Sequence, residues 1–252
     1  MSYPTTLAIA RGVPGIVVIR QFGRNTAVGA TFVPLARGGI YRTPQTATTL
    51  RVKAGGNAND DAAGSGARAI TLTGINAAGV KISETIATAG ASASAATQQS
   101  FLRLYDAFVS ASGTYATQSA QSHAGTITIE NGEGGTDWAL IPDTDIPRGE
   151  SEIGAITIPA NRTVFITNVR LQSQDDKKSN IVMFRRENAL EQAAPYSAMR
   201  LIEEFPNFSG IQDLIFDPPL RLEQNTDFGF LAKVDSGTAD ISVAFEGFEV
   251  TP

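Results

Sequence analysis

The chain has 252 residues, a net charge of -5, no cysteine and a single histidine, His123. That composition excludes disulfide frameworks, thiolate metal sites and any site needing two imidazoles, while the length suffices for one large core or two of ordinary domain size. Charged residues make up 18%, below the usual share of about a quarter, which points to a largely neutral, polar surface suited to strands, turns and contacts with identical neighbours.

The charges are unevenly placed. The first 59 residues carry seven bases, Arg11, Arg20, Arg24, Arg37, Arg42, Arg51 and Lys53, and no acid. This pattern reads as an extended basic arm that docks on something acidic, with Arg11, Arg20, Arg24, Arg37 and Arg42 as the candidate attachment residues. Met1 to Ala10 lacks the basic segment and apolar run of a secretory signal, and no stretch reaches the roughly 18 apolar residues that span a bilayer. The expectation is a soluble protein made in a cytoplasm, with no membrane partner.

Period-two patterning runs through most of the chain. Ile16 to Ile19 and Thr31 to Val33 are short apolar runs, and Ala69 to Gly74 alternates with Ile70 and Leu72 on one face. After the turn Gly74-Ile75-Asn76-Ala77-Ala78-Gly79 the alternation resumes at Val80, Ile82, Glu84 and Ile86, which predicts a β-hairpin. Strands are also predicted at Phe101 to Val109, where the spacing of Phe101, Leu104, Tyr105 and Phe108 equally fits a short helix, at Thr126 to Glu130 and near Trp138 to Ile141. Ala89 to Ala96 has no side chain large enough to anchor a core and is expected to be a flexible loop.

Pro142-Asp143-Thr144-Asp145-Ile146-Pro147-Arg148-Gly149 reads as a stiff connector. Up to residue 148 there are eleven bases and nine acids; from 149 onward there are nine bases and sixteen acids. The second part alternates at Ile156 and Ile158, Val164 and Ile166, Val169 and Leu171, Ile181 to Phe184, Leu214 and Phe216, Phe228 and Phe230, and Ile241 to Phe245. Glu187 to Phe208 does not alternate and is expected to be a long excursion with a helical turn. The predicted fold is all-β, with two antiparallel β-sandwich modules, the C-terminal one jelly-roll-like. The expected domains are an N-terminal arm with the first strands at 1–45, a β-rich domain at 46–141, a linker at 142–149 and a sandwich at 150–252.

Few residues suggest chemistry. His123 has no second imidazole and is expected on a loop or at the surface. Asp60-Asp61 could offer oxygens to a hard cation but lacks the spacing of a calcium loop. The carboxylate pairs Glu130 and Glu133, Asp143 and Asp145, and Glu203 and Glu204 are of the kind glycosidases use, yet such pairs are frequent in any acidic chain. No Gly-x-Ser-x-Gly elbow, phosphate loop or dinucleotide fingerprint stands in a strand-to-helix context, so neither an enzymatic activity nor a cofactor is expected. Trp138 and the strand phenylalanines read as core, with a sugar platform at Trp138 as the alternative. Phe22, Phe32 and Tyr41 are too far apart to form a nucleotide-stacking platform, and the acidic second part repels DNA, so direct DNA contact is the weaker reading of the arm.

Gly64-Ser65-Gly66-Ala67-Arg68-Ala69-Ile70-Thr71-Leu72-Thr73-Gly74-Ile75, continued by Gly79 to Ile86, resembles a pattern in virion proteins of tailed bacteriophages, marine ones especially. Ile156 to Ile166 and Asp240 to Phe248 are similar to the second part of the same class. The resemblance implies β-rich modules that decorate heads or form tail and neck parts in rings or trimers, and it brings no catalytic residue with it. The expected function is therefore a non-enzymatic virion protein synthesised in the host cytoplasm, with a capsid decoration or cement role placed first. A tail, neck or adaptor ring component and a receptor-binding carbohydrate module are the alternatives. Its expected partners are further copies of itself in a symmetric homo-oligomer, a trimer favoured, and the major capsid protein or portal and tail proteins.

Overall fold

In the computed structural model, the residues described are 12–115, 121–143, 149–174 and 177–251. They form an all-β protein. In chain order the strands are β1 (Ile16–Val28), β2 (Val33–Pro34), β3 (Leu50–Val52), β4 (Ala67–Ile75), β5 (Lys81–Ala87), β6 (Arg103–Ser112), β7 (Ile127–Asn131) and β8 (Asp137–Ile141). They continue as β9 (Ala155–Thr157), β10 (Thr163–Ser173), β11 (Ser179–Arg186), β12 (Arg200–Phe208), β13 (Gly210–Leu222), β14 (Asp227–Val234) and β15 (Ala239–Val250). Among the described residues no helix is long and apolar enough to cross a membrane.

The strands fall into two compact units. One comprises the described residues up to Leu35, Gly154–Glu191 and those from Pro195 onward; the other comprises Ala36–Ile153 with Gln192–Ala194. The segment expected as a 1–45 arm is thus divided between them, and the second crossing falls at Ile153 and Gly154, beyond the expected linker. Residues 144–148 of that linker lie outside the described residues.

The first unit has two antiparallel sheets, one in the order β1-β15-β10-β13 and the other β12-β11-β14-β2, with β9 also pairing with β14. Both feed one buried core: Val164, Ile166, Val169, Leu171, Ile241, Val243 and Phe245 from the first, and Ile181, Met183, Phe228, Phe230 and Val234 from the second. Phe228 packs edge-on against Phe230 and Phe245 at centroid separations of 5.4 and 5.2 Å, the arrangement favoured by the ring quadrupole. The change of parity from Val164 and Ile166 to Val169 and Leu171 is a β-bulge. Thr167 is the extra residue, with its hydroxyl donating to the Glu246 carbonyl, so both apolar pairs still face inward. Opposite the bulge only glycine fits, because a Cβ on Gly247 would lie 2.1 Å from the Phe165 carbonyl oxygen.

Two expectations change here. Ile16 begins a 13-residue strand, and β1 pairs with β15 from Ile16↔Val250 to Val28↔Ala239. Residues 16–28 of the basic start are therefore held in a sheet, since β15 pairs with their backbone whether the side chains are apolar or polar. Within Glu187 to Phe208, the last nine residues are β12. A register shift between Met183 and Phe184 of β11 displaces the pairing, and Phe205 and Phe208 are buried at a spacing of three, which hides the strand from a period-two reading.

The other unit contains the sheets β3-β7-β8 and β5-β4-β6. The expected hairpin is β4 and β5, in register from Ile75↔Lys81 to Ala69↔Ala87; Asn76 Oδ1 closes the turn by accepting from the Ala78 and Val80 N–H groups, each at 3.0 Å. β6 is a strand, as its favoured reading had it, and Trp138 is buried at 3% exposure. The Ala89 to Ala96 tract is not a free loop. The Ser94 and Thr97 N–H groups donate to the Val52 and Leu50 carbonyls while their hydroxyls accept from the Val52 and Leu50 N–H groups, so small side chains let the backbone lie flat along β3.

Asp60 ties this unit together. It is 4% exposed; Oδ1 accepts the Ala67 and Ala124 N–H groups at 2.8 Å each, and Oδ2 accepts that of Gly125 at 2.9 Å. Leaving a buried N–H without an acceptor costs about 1–3 kcal/mol. Asp60→Ala is therefore expected to destabilise this unit by about 3–6 kcal/mol, measurable by urea unfolding; a loss below about 1 kcal/mol would contradict the tie.

Candidate attachment surface

The candidate attachment residues are divided between the units. Arg20 and Arg24 stand four residues apart on one face of β1, whereas Arg37 and Arg42 belong to the other unit; Arg11 lies outside the described residues. Arg20 Nε donates to Glu246 at 3.1 Å with its side chain 79% exposed. Arg24 holds Asp240 through Nε and Nη2, at 2.9 and 2.5 Å. Arg37 is buried at 4% exposure, with Nε 2.5 Å from Glu152 Oε2. Exposed Arg42 donates from Nε to the Asp137 carbonyl at 2.7 Å. The other two bases of the acid-free start behave alike, Arg51 meeting Glu130 and Lys53 meeting Asp137, both at 2.8 Å.

Much of the acidic complement of the basic start therefore lies in this same chain. Arg37 in particular holds its own unit together and does not point outward. Glu152 sits at φ 47°, a left-handed conformation uncommon for a residue with a Cβ, and its ion pair with Arg37 fastens the backbone there.

The remaining sequence candidates are placed as follows. His123 is on a loop but buried at 3% exposure. Its Nε2 lies 2.9 Å from the Pro142 carbonyl, to which it donates because a carbonyl only accepts, and its Nδ1 lies 2.9 Å from the Ser122 hydroxyl, so the ring fastens two loops. Asp60 spends its oxygens on backbone N–H groups, as described above. Among the described residues no group of three or more His, Asp or Glu could hold a metal ion. Of the nominated carboxylate pairs, Glu130 is committed to Arg51, Asp145 lies outside the described residues, and Glu203 and Glu204 are both exposed on β12. A pair that was not nominated is more strongly perturbed: burial, with the charge of Glu150 added, raises Asp106 from its ordinary 3.8 to about 6. Nothing in the local sequence around Asp106 marks it, because Glu150 reaches it through the bridge between Phe108 and Glu150.

One further surface with exposed apolar residues is the outer face of the sheet β1-β15-β10-β13. Register places Val18, Phe248, Phe165 and Arg221 in one row across all four strands, and Phe22, Ala244, Arg170 and Asp213 in another. Between these rows lie Arg20, Glu246, Asn168 and Ile215. Val18 is 42%, Phe22 36%, Ile211 64% and Ile215 82% exposed. Charges on this face are paired within it: Arg170 grips Asp213 at 2.7 and 3.0 Å, holding that carboxyl below its ordinary range, and Arg20 and Arg24 hold Glu246 and Asp240. A signal for this face is present in the chain, since Ala244, Phe248 and Val250 occupy the parity opposite to Ile241, Val243 and Phe245.

No family model matches the chain, and no curated protein matches it. Among solved structures it is similar to a chain in "Structure of infectious bursal disease virus Gt strain", with 6% identity and a TM-score of 0.25, covering 100% of this chain and 78% of that one. A TM-score of that size establishes no common fold.

Removing one partner of a buried ion pair costs about 3–5 kcal/mol, against less than about 1 for an exposed pair. Arg37→Ala should therefore unfold at far lower urea than Arg20→Ala, and equal midpoints would refute the division between a buried staple and a surface pair. The pH dependence of Asp106 is also testable. Its proton is held more tightly in the folded chain, so its contribution to stability is present at low pH and is lost as pH rises from about 4 through about 6. Asp106→Asn should remove that part of the decline in urea-derived stability across the same window, and an unchanged slope would refute the assignment.

Proposed function

We propose that this chain is a non-enzymatic structural protein of a virion of the tailed-phage kind, acting as a head decoration or cement protein. The observation that carries the reading is the strand order of the first unit. The sheets β1-β15-β10-β13 and β2-β14-β11-β12 share one core, and this order supports a jelly-roll sandwich, with the other β-rich unit inserted in sequence between β2 and β9. Jelly rolls serve in viral shells and in lectins, and fold alone does not choose between them. Trp138, the residue nominated for a sugar platform, is buried, which weighs against the carbohydrate alternative. The phage-like patterns at Gly64 to Ile86 and Ile156 to Ile166 fall on β4, β5, β9 and β10, as expected for patterns that describe a scaffold and not a catalytic centre.

In this reading the protein clamps neighbouring capsid subunits, and many weak attachments act together through high effective concentration. Among the described residues, Arg20 and Arg42 are the exposed members of the attachment set. Their contacts with an acidic capsid surface would weaken with salt as the charges are screened.

The test is the copy number and position of the chain in intact particles, by labelled imaging with quantitative protein analysis. Many copies spread over the head are expected; a small ring at one vertex would replace cement with a neck or tail role, and absence from the particle would overturn the virion reading. Arg20→Glu combined with Arg42→Glu should leave the chain folded and lower particle occupancy, whereas unchanged occupancy would sink the role given to these two residues.

A further inference from the structure

We infer that the free edge of β12, with the groove beside it, binds an extended basic segment of another protein as an added strand. The inference goes beyond the proposed function and does not rest on the virion reading, since it concerns what the purified chain binds.

The first argument is the backbone. β12 ends the sheet β12-β11-β14-β2 and pairs along one side only, with β11. Among the described residues no strand lies against its other side, and Arg200, Leu201, Glu203 and Glu204 are exposed. Only another extended chain can answer such a row of N–H and C=O groups bond for bond. Proline is one means of closing an edge to strand addition. On β12 it stands only at Pro206, so residues 200–205 remain open to pairing.

The second argument is shape. Where the chain passes from β12 to β13 there is a groove of about 460 Å³, lined by Glu204, Phe205, Pro206, Phe208 and Ile211 among others. Phe205 and Phe208 belong to the buried core, whereas Ile211 is 64% exposed and Leu201, on β12 itself, is 58% exposed. Apolar side chains of an added strand therefore find surface to cover both on β12 and in the groove, and a concave apolar site with few polar groups is the usual form of a binding site.

The third argument is charge. Arg200 meets Glu187, Arg221 meets Glu223 at 3.0 Å, and Asp213 meets Arg170 at 2.7 Å. Glu203 and Glu204 on β12 and Asp217 on β13 have no ion-pair partner among the described residues. Glu203 and Glu204 are consecutive on the open strand, and consecutive side chains of a strand project to opposite faces. They are matched by an incoming strand with two consecutive bases, one on each face. A second copy pairing β12 with β12 brings glutamates towards glutamates, and a nucleic acid brings phosphates to them, so both are disfavoured against a basic segment.

The experiment uses the full chain and the amidated hexapeptide Thr-Val-Arg-Arg-Val-Thr carrying an N-terminal fluorophore, with binding read by fluorescence anisotropy. Saturable binding that weakens with salt is expected. The same peptide with both valines N-methylated keeps its charge but has one blocked N–H on each edge, and it should bind about tenfold more weakly or worse. Glu203→Gln combined with Glu204→Gln should weaken the native peptide by about tenfold, and Ile211→Lys should weaken it as well. Val18→Lys, at an exposed position of β1, which ends the other sheet, should leave binding unchanged. Circular dichroism and urea midpoints check that each variant is folded, and the comparison of the two peptides on the native chain decides the matter where a variant is not. No saturable binding, equal affinity for the N-methylated peptide, indifference to the glutamate variant, or equal loss in Val18→Lys would each overturn the inference. Self-association of the native chain in sedimentation velocity that disappears in Ile211→Lys would make a second copy the occupant and overturn it too. Particle copy number is measured separately, so failure here and failure of the virion reading are distinguishable.

Discussion

β15 lies between β1 and β10 in one sheet, so one of the last strands of the chain holds the first one described across 226 positions, the separation between Arg20 and Glu246. The rest of the first unit depends on this pairing. It completes the sheet whose inner face supplies Ile241, Val243 and Phe245 to the core, and it sets the parity by which β1 turns Arg20 and Arg24 outward. Such pairing is entropically costly to reach, because a long loop must close before any contact compensates for it. The return comes from buried area: Phe228, Phe230 and Phe245 form one cluster from two sheets, and large apolar side chains contribute about 1.5–3 kcal/mol each when buried.

The second dependence is on charge. A start with seven bases and no acid looks like an arm seeking a partner, yet Arg20, Arg24, Arg37, Arg51 and Lys53 find carboxylates at Glu246, Asp240, Glu152, Glu130 and Asp137. Segregation along the chain is converted into neutrality in space. The arginines then differ sharply in meaning: Arg37 is a buried staple, Arg24 a half-buried clamp, and Arg20 and Arg42 remain at the surface. A buried pair is worth most as a constraint, since losing either partner strands a charge, whereas a surface pair is nearly free to exchange partners.

The third dependence is on small residues and bulges. The low-complexity Ala89 to Ala96 tract is held along β3 because its side chains are short enough for backbone and hydroxyl groups to hydrogen-bond to it directly. Gly247 allows the bulge of β10 to sit against β15, and Gly74 does the same service between β4 and β6, where a Cβ would lie 1.9 Å from the Arg103 carbonyl. Polar and glycine-rich composition, which weakens a hydrophobic core, here permits close backbone approach.

The amino-acid sequence by itself determined the all-β class, the β4 and β5 hairpin, the inward set at Val164, Ile166, Val169 and Leu171, and the core placement of Trp138. These are local properties: period-two burial and turn chemistry act over a few residues and are legible in one dimension. It also listed the arginines but could not rank them, because exposure and partner depend on residues 79 to 226 positions away. Only the tertiary structure decided that the described start is a strand of the first unit, that Glu187 to Phe208 ends in β12, that His123 is buried and that Asp106 meets Glu150. The apolar outer face was decided in the same way: Val18, Phe248, Phe165 and Ile215 become neighbours only when strands from both ends of the chain are set in register, and register is a property of the sheet, not of any one strand.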